Sequence, residues 1–174
     1  MVAGIVLSAG AEKNETPPGN STPRPDASAP SKINGITHAA VNSGVLTCAG
    51  TIDKVVSYLT QQGQSGAFLF TSPDQPDRRV FSASLEITTP NVPLAYASAS
   101  FAPNQVNGCG GLYETVVYWP NSCDEVATKQ FSGLKSIGKL GQKTNVLAIS
   151  KVGRVFLMPA GEKGCVAIKK ELLP

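Results

Sequence analysis

The sequence predicts an α+β domain in which two helices cover one face of a mostly antiparallel sheet of six or seven strands. Three observations favour this class: apolar residues at helical spacing, several segments that alternate apolar with polar residues, and an even number of cysteines. The chain has 174 residues, of which 41% are hydrophobic. That length suits one globular domain with a tail.

The first eleven residues resemble the end of a secretory signal peptide. A short apolar run is followed by Ala9-Gly10-Ala11, an A-x-A cleavage pattern. The positively charged start of such a signal is missing, so the alternative is an apolar end without that role. The run is shorter than the roughly 20 residues that a membrane span requires. We therefore expect 1–11 to be a truncated signal peptide and the mature protein to contain no membrane span.

Residues 12–32 are predicted to form a disordered linker. Five prolines lie there among small polar residues, with hardly any large apolar side chain. Such a segment cannot bury enough surface to offset the entropy cost of ordering it. The folded domain is therefore predicted to occupy 33–174.

The first predicted helix covers 49–62. Ile52, Val55, Val56 and Leu59 follow the i, i+3, i+4, i+7 spacing of one buried stripe, and Gly63 supplies a stop. Apolar runs and alternating patterns between turn residues predict seven strands. These strands are 67–70, 80–87, 94–101, 112–119, 145–150, 154–158 and 164–170, the fifth and sixth forming a hairpin.

The second predicted helix begins after Asn121. Ser122 and Glu125 have the spacing of a capping box, in which each side chain accepts a hydrogen bond from an otherwise unpaired backbone amide. Three glycines follow the helix, so its far end is not defined by the sequence.

The four cysteines are predicted to form disulfides. Cys48, Cys109, Cys123 and Cys165 contain no C-x-x-C pair, and a single histidine leaves few ligands for zinc, so no metal or other cofactor is expected. Structural disulfides agree with export to the periplasm or the outside of the cell. The alternative is a cytosolic protein with four free thiols.

A rough internal repeat in the order of elements predicts how the cysteines pair. Cys48 and Cys123 each precede a helix, a strand begins about 20 residues later, and a second cysteine follows. Two rough α-β-β-β halves, the first with an added strand, would pair Cys48 with Cys109 and Cys123 with Cys165. Direct pairing of Cys109 with Cys123 is excluded because the strand between them spans about 26 Å, whereas bridged α-carbons lie within roughly 7 Å.

Few residues suggest catalysis. His38 is the only histidine, and no G-x-S-x-G motif accompanies it. Glu86 and Glu114 are acids within predicted strands and could act together only if they approached each other closely. The glycine-rich 108–111 segment could offer amides to an anion, or simply turn tightly around a disulfide. A small envelope hydrolase that uses Glu86, Glu114 or His38 is therefore the alternative, and we expect a protein that is not an enzyme.

Binding residues are expected in two places. Tyr113, Tyr118 and Trp119 form the densest aromatic group, with Tyr118 on the opposite face of its strand from the other two. Residues 129–174 carry nine basic and two acidic side chains, and the candidates there are Lys135, Lys139 and Lys143. The sequence thus predicts a secreted or periplasmic binding domain, such as an envelope accessory, inhibitor or immunity-type protein. Its partner would be a protein or an anionic envelope polymer, since nucleic acid does not suit an exported chain.

Overall fold

The computed structural model describes residues 34–60, 64–90 and 92–173. The predicted signal peptide and linker lie outside these residues. The described part contains three α-helices, one 3-10 helix and eight strands. The helices are α1 (Gly35–Asn42), α2 (Ala49–Thr60) and α3 (Cys123–Gln130), with the 3-10 turn at Pro76–Arg78. The strands are β1 (Gln64–Phe70), β2 (Phe81–Thr89), β3 (Val92–Asn104), β4 (Gly108–Trp119), β5 (Lys135–Leu140), β6 (Thr144–Ala148), β7 (Gly153–Ala160) and β8 (Gly164–Leu173).

The strands form one antiparallel sheet in the order β1-β2-β3-β4-β8-β7-β6-β5. The α+β class with two disulfides is confirmed, but the strand number of six to seven is wrong. The additional strand is β5, which lies at the edge and is exposed along its whole length. Because neither of its faces is buried, its sequence shows no apolar alternation, and Gly138 interrupts it at a bulge.

The helix number of two is also wrong, because α1 precedes the predicted helices. The Asn34 side chain caps α1 by accepting a hydrogen bond from the Ile36 amide at 2.9 Å. Only Thr37 and Ala40 of this helix are buried. So short a buried stripe is a weak sequence signal, and for that reason the periodicity of the chain does not predict α1.

The helices pack on one face of the sheet, which we call the helix face. Residues that pair directly across antiparallel strands share a face. One row of such pairs runs from Ala83 through Ala99, Tyr113 and Glu171 to Gly153. The alternate residues of every strand point to the other face, which we call the open face.

The larger core lies between α2 and the first strands. The predicted stripe of α2 is confirmed, with Ile52, Val55, Val56 and Leu59 all buried. It packs on Phe81 and Leu85 of β2 and on small residues of β3. The alanines of β3 allow close approach, since a small side chain lets the helix sit near the strand backbone.

The smaller core lies under α3. Val126 is buried with Leu147, Val155 and Leu157, and Trp119 packs at its border. The capping box is confirmed: the Ser122 hydroxyl accepts from the Glu125 amide, and the Glu125 carboxylate accepts from the Ser122 amide.

The two halves repeat each other more closely than the sequence predicts. Each half has a helix followed by four strands, α2-β1-β2-β3-β4 and α3-β5-β6-β7-β8, so the α-β-β-β unit is wrong by one strand in the second half. The hairpins β3-β4 and β7-β8 share a P-x-x-x-x-G-C pattern with the proline paired to the cysteine in both. The residues that carry the pattern are Pro103, Gly108 and Cys109, and Pro159, Gly164 and Cys165.

The disulfides occupy equivalent places in the two halves. Cys48 pairs with Cys109 and Cys123 with Cys165, which confirms the predicted pairing. The α-carbons of the pairs are 5.1 and 5.0 Å apart. Each bridge therefore joins the start of a helix to the last strand of the same half, clamping the helix to the sheet.

A pseudo-twofold axis passes between β4 and β8, perpendicular to the sheet. The strand order reads the same from either edge, and these two strands pair antiparallel in the middle. Aligning Cys109 with Cys165 makes Glu114 equivalent to Lys170, and these two residues are direct cross-strand partners. The axis thus passes through that pair.

Candidate functional site

Four polar side chains meet on the helix face beside the pseudo-twofold axis. We call Tyr58, Tyr113, Lys169 and Glu171 the tyrosine–lysine cluster. The Tyr113 hydroxyl donates to Glu171 Oε2 at 2.6 Å, and Lys169 Nζ donates to the Tyr58 hydroxyl at 2.8 Å. Lys169 Nζ also lies 3.9 Å from Glu171 Oε2.

Contacts with the two tyrosine rings also stabilise this cluster. Lys169 Nζ lies 5.2 Å from the centre of the Tyr58 ring and 5.4 Å from that of Tyr113, within the range of cation–π attraction. The two rings meet edge to face with centroids 5.8 Å apart. The cluster therefore joins α2, of the first half, to β8, of the second half.

The cluster holds Tyr113 as a hydrogen-bond donor. The pKa of Tyr113 is raised well above its ordinary value. Burial of the hydroxyl is the larger cause, and its hydrogen bond to the Glu171 carboxylate is the next. Both effects disfavour the phenolate. Tyr113 is thus suited to hold Glu171 in place and unsuited to act as a base or nucleophile at neutral pH.

Two clefts flank the tyrosine pair. The first has a volume of about 300 Å³ and a mostly apolar wall from β2 and β3 that includes Ile87, Pro93 and Ala95. The second, of about 370 Å³, lies between α2 and the end of β8, near Lys54 and Leu173. Both clefts are open to solvent, and their volumes lie at the lower end of the range of small-molecule sites.

The structure separates the three aromatic residues predicted to bind a partner. Tyr113 is 5% exposed within the cluster, and Trp119 is half-buried beside the smaller core. The Trp119 Nε1 atom is buried without a hydrogen-bond partner among the described residues. Tyr118 is 53% exposed on the open face, so it is the one of the three that is placed to touch another molecule.

The three candidate lysines lie at the β5 edge and its turn. Lys135 pairs with Ala148 on the open face, whereas Lys139 pairs with Asn145 on the helix face because the bulge shifts the register. Lys139 and Lys143 line a cleft of about 350 Å³ near the start of α3, together with Lys163. Asp124 and Glu162 line the same cleft, which lowers its net positive charge.

The candidate catalytic residues lie apart and have different partners. His38 is exposed on α1, where its Nδ1 lies 3.2 Å from Asn42 Nδ2. Glu86 is exposed on the open face of β2, and Glu114 forms a salt bridge of 3.3 Å with Lys170. The glycine-rich 108–111 segment is the first part of β4 and not a tight turn, and it pairs with β3.

The open face carries an apolar patch across five strands. One row of directly paired residues contains Tyr96, Val116, Ile168, Phe156 and Val146. A second row contains Tyr118, Val166 and Met158. We call these eight residues the open-face patch. Tyr96, Tyr118 and Met158 are 47, 53 and 42% exposed, as the three α-helices all pack on the other face.

A charged row borders the open-face patch. Directly paired residues place Glu114, Lys170, Arg154, Ala148 and Lys135 in a line across five strands. Glu114 neutralises Lys170, which leaves the Arg154 and Lys135 end of the row positive. Sequence reasoning identified Tyr118 and Lys135 separately, but only the strand pairing places them on the same face.

Comparison with known proteins yields no match to any family model, curated protein or solved structure. The two disulfides indicate an oxidising, extracytoplasmic compartment, since structural disulfides persist there. Among the described residues, no helix has the length and apolar character required to cross a membrane.

Proposed function

We propose that this chain is a non-enzymatic periplasmic or secreted binding domain whose open face takes a protein partner. The observation that carries the proposal is the open-face patch. Its two rows cover on the order of 300 Å² of a sheet face, from the spacing of strands and residues. Contiguous apolar surfaces of this size on soluble domains are often sites of interaction.

The composition of the patch favours a protein over a polymer. Tyrosine and methionine are enriched at protein interfaces. Tyrosine buries a large area for only two rotatable bonds, and methionine adapts its shape to the partner. Tyr96, Tyr118 and Met158 are the most exposed members of the patch. A polyanion would instead be met by a surface dominated by lysine and arginine.

The charged row defines the partner further. Arg154 and Lys135 lie on one side of the patch and face the same direction as its apolar side chains. A partner with an apolar centre and acidic side chains along one border would complement both features. The tyrosine–lysine cluster lies on the other face, where its groups already satisfy one another, so we assign it a positioning role between the halves.

Site-specific photocrosslinking tests this proposal in cells that make the protein. A benzoylphenylalanine at position 118 should yield an adduct with one defined protein. The same residue at position 46 serves as a control, because Leu46 is 60% exposed in a loop away from the open face. Arg154→Glu should weaken the adduct from position 118 by reversing the charge at the border.

The partner identified in this way can then be titrated against purified variants. Met158→Lys should raise the Kd by about tenfold or more, as expected for a residue at the centre of an interface. Leu46→Lys should change it by less than about twofold. Equal adducts from positions 118 and 46, or an unchanged Kd for Met158→Lys, would overturn the proposal.

A further inference from the structure

The two edges of the sheet differ in how they are protected. β5 carries Lys135 and Lys139, and its bulge at Gly138 interrupts the ladder. Charged side chains and bulges at an edge prevent another strand from pairing there. β1 has no charged residue, no proline and no bulge in its pairing with β2. Among the described residues, no strand lies on its outer side.

β1 also exposes side chains that favour strand pairing. Phe68 is 68% and Phe70 is 53% exposed, both on the open face. Gly66 precedes the two phenylalanines on the same face of β1. A Cβ added to Gly66 would meet no atom within 4 Å. An aromatic ring from a neighbouring strand could therefore cover Gly66.

We propose that two copies of this chain pair through β1, antiparallel, about a twofold axis at Ala67. An edge of unpaired backbone groups is a template for another extended strand, and this strand complements itself. With Ala67 opposite Ala67, all of Gln64–Phe70 is paired, and Phe68 of each copy lies opposite Gly66 of the other. Centring the axis on Gly66 or Phe68 instead would leave two residues of each strand unpaired.

Charge and topology support a second copy as the occupant. β1 carries no charge, so two copies meet without the repulsion that lysines would cause at β5. A twofold axis between antiparallel strands is perpendicular to the sheet, as is the pseudo-twofold axis between β4 and β8. The open faces of the two copies would therefore lie on the same side of one continuous sheet.

Engineered cysteines test the register of this pairing. Ala67→Cys places two thiols directly opposite each other across the axis, within the reach of a disulfide. Ser65→Cys is the matched control, because residue 65 is equally on the helix face and exposed but would face Leu69 of the other copy. The two thiols introduced by Ser65→Cys would be about 13 Å apart along the strands.

The expected result is a disulfide-linked dimer of Ala67→Cys, formed faster at higher protein concentration, with little from Ser65→Cys. Non-reducing electrophoresis after mild oxidation measures it. Equal crosslinking of both variants, or of neither, would overturn the proposed register. Because the two variants have the same chemistry, thiol exchange with the native disulfides would affect both alike.

Sedimentation equilibrium tests the association without added cysteines. Ala67→Lys brings two ammonium groups together at the axis and should therefore raise the dimer Kd by about tenfold or more. Ser65→Lys, which would face Leu69, should raise it much less. A wild-type chain that remains monomeric up to about 1 mM would refute the dimer. The outcome does not depend on whether the open face binds another protein.

Discussion

The two halves of the domain share one topology but differ in what fills them. In the first half, the twelve-residue helix α2 covers a core that includes Phe81, Phe101 and Leu85. In the second half, the eight-residue helix α3 buries only Val126 fully, over a few aliphatic residues. The second half thus keeps the strand order, the hairpin and the disulfide of the first half, although it buries fewer apolar residues. One topology thus tolerates cores of different size, and the bridge should carry a larger share of the local stability where the core is smaller.

Of the changes considered, removal of a disulfide should lower the stability of the domain most. The bridged cysteines are 61 and 42 residues apart along the chain, and loops of these lengths differ little in closure entropy. Cys48→Ala/Cys109→Ala and Cys123→Ala/Cys165→Ala should therefore each lower the free energy of unfolding by about 4 kcal/mol. Denaturant titration measures this loss.

The pattern of the loss should distinguish the halves. Without Cys123–Cys165, amide hydrogen exchange should become faster throughout α3, β5 and β6, because the smaller core alone cannot keep the second half from opening locally. Without Cys48–Cys109, the exchange of β2 and β3 should change less, since the larger core remains. Equal loss of protection in both halves after either change would contradict the comparison.

The equivalent glycines of the two hairpins should respond differently to alanine. At Gly164, an added Cβ would lie 2.6 Å from the Ala160 carbonyl oxygen and from the Tyr118 ring, so Gly164→Ala should cost about 2 kcal/mol of overpacking. Gly108 has open space but a φ of 87°, so Gly108→Ala should cost about 1 kcal/mol of backbone strain.

Thermal and denaturant unfolding of both variants measure these costs. Adding Tyr118→Ala should relieve only part of the cost at Gly164, because the carbonyl oxygen belongs to the backbone and cannot move freely. Full relief by Tyr118→Ala would show that the ring alone requires a glycine there.

Tyr113→Phe should have an effect about as small as that of Gly108→Ala, about 1 kcal/mol, from loss of the hydrogen bond to Glu171. The pKa of Tyr113 is raised in the folded protein, so its neutral form contributes stability that is fully present below the ordinary value of 10.0. That contribution is lost as the pH rises above this value, because the unfolded tyrosine then ionises first. The stability advantage of the wild type over Tyr113→Phe should therefore shrink above about pH 10.

Unfolding free energies of both proteins between neutral and strongly basic pH check this prediction. A constant difference between them across that range would show that Tyr113 ionises equally in the folded and unfolded chains. Tyr96→Phe is a suitable control, since that hydroxyl is exposed and bonds Ser84 on the open face.

Local signals in the sequence predicted much of the fold. The stripe of α2, the capping box of α3 and the alternation of β2 each depend on residues a few positions apart. The strand β5 and the helix α1 lack such signals, because one is exposed on both faces and the other is short. The P-x-x-x-x-G-C pattern of the two hairpins was a usable signal that sequence reasoning missed.

The candidate sites were less predictable than the elements. The tyrosine–lysine cluster joins Tyr58 to Lys169, which are 111 residues apart along the chain, and no spacing rule connects them. Tyr118 was a candidate because it belongs to the densest aromatic group of the sequence, but its neighbours Met158 and Ile168 come from other strands. A surface built from five strands depends on their order, which short-range patterns do not contain.

By itself, the sequence determined the class of the domain, most of its elements and the pairing of its cysteines. The elements follow from short-range periodicity and caps, and the cysteine pairing follows from the rough internal repeat, with chain reach excluding Cys109–Cys123. Only the tertiary structure decided the symmetric strand order, the position of the axis at Glu114 and Lys170, and which side chains share the open face. The physical reason is that these features depend on which strands pair, and β4 and β8 lie far apart along the chain, whereas periodicity and caps involve residues only a few positions apart.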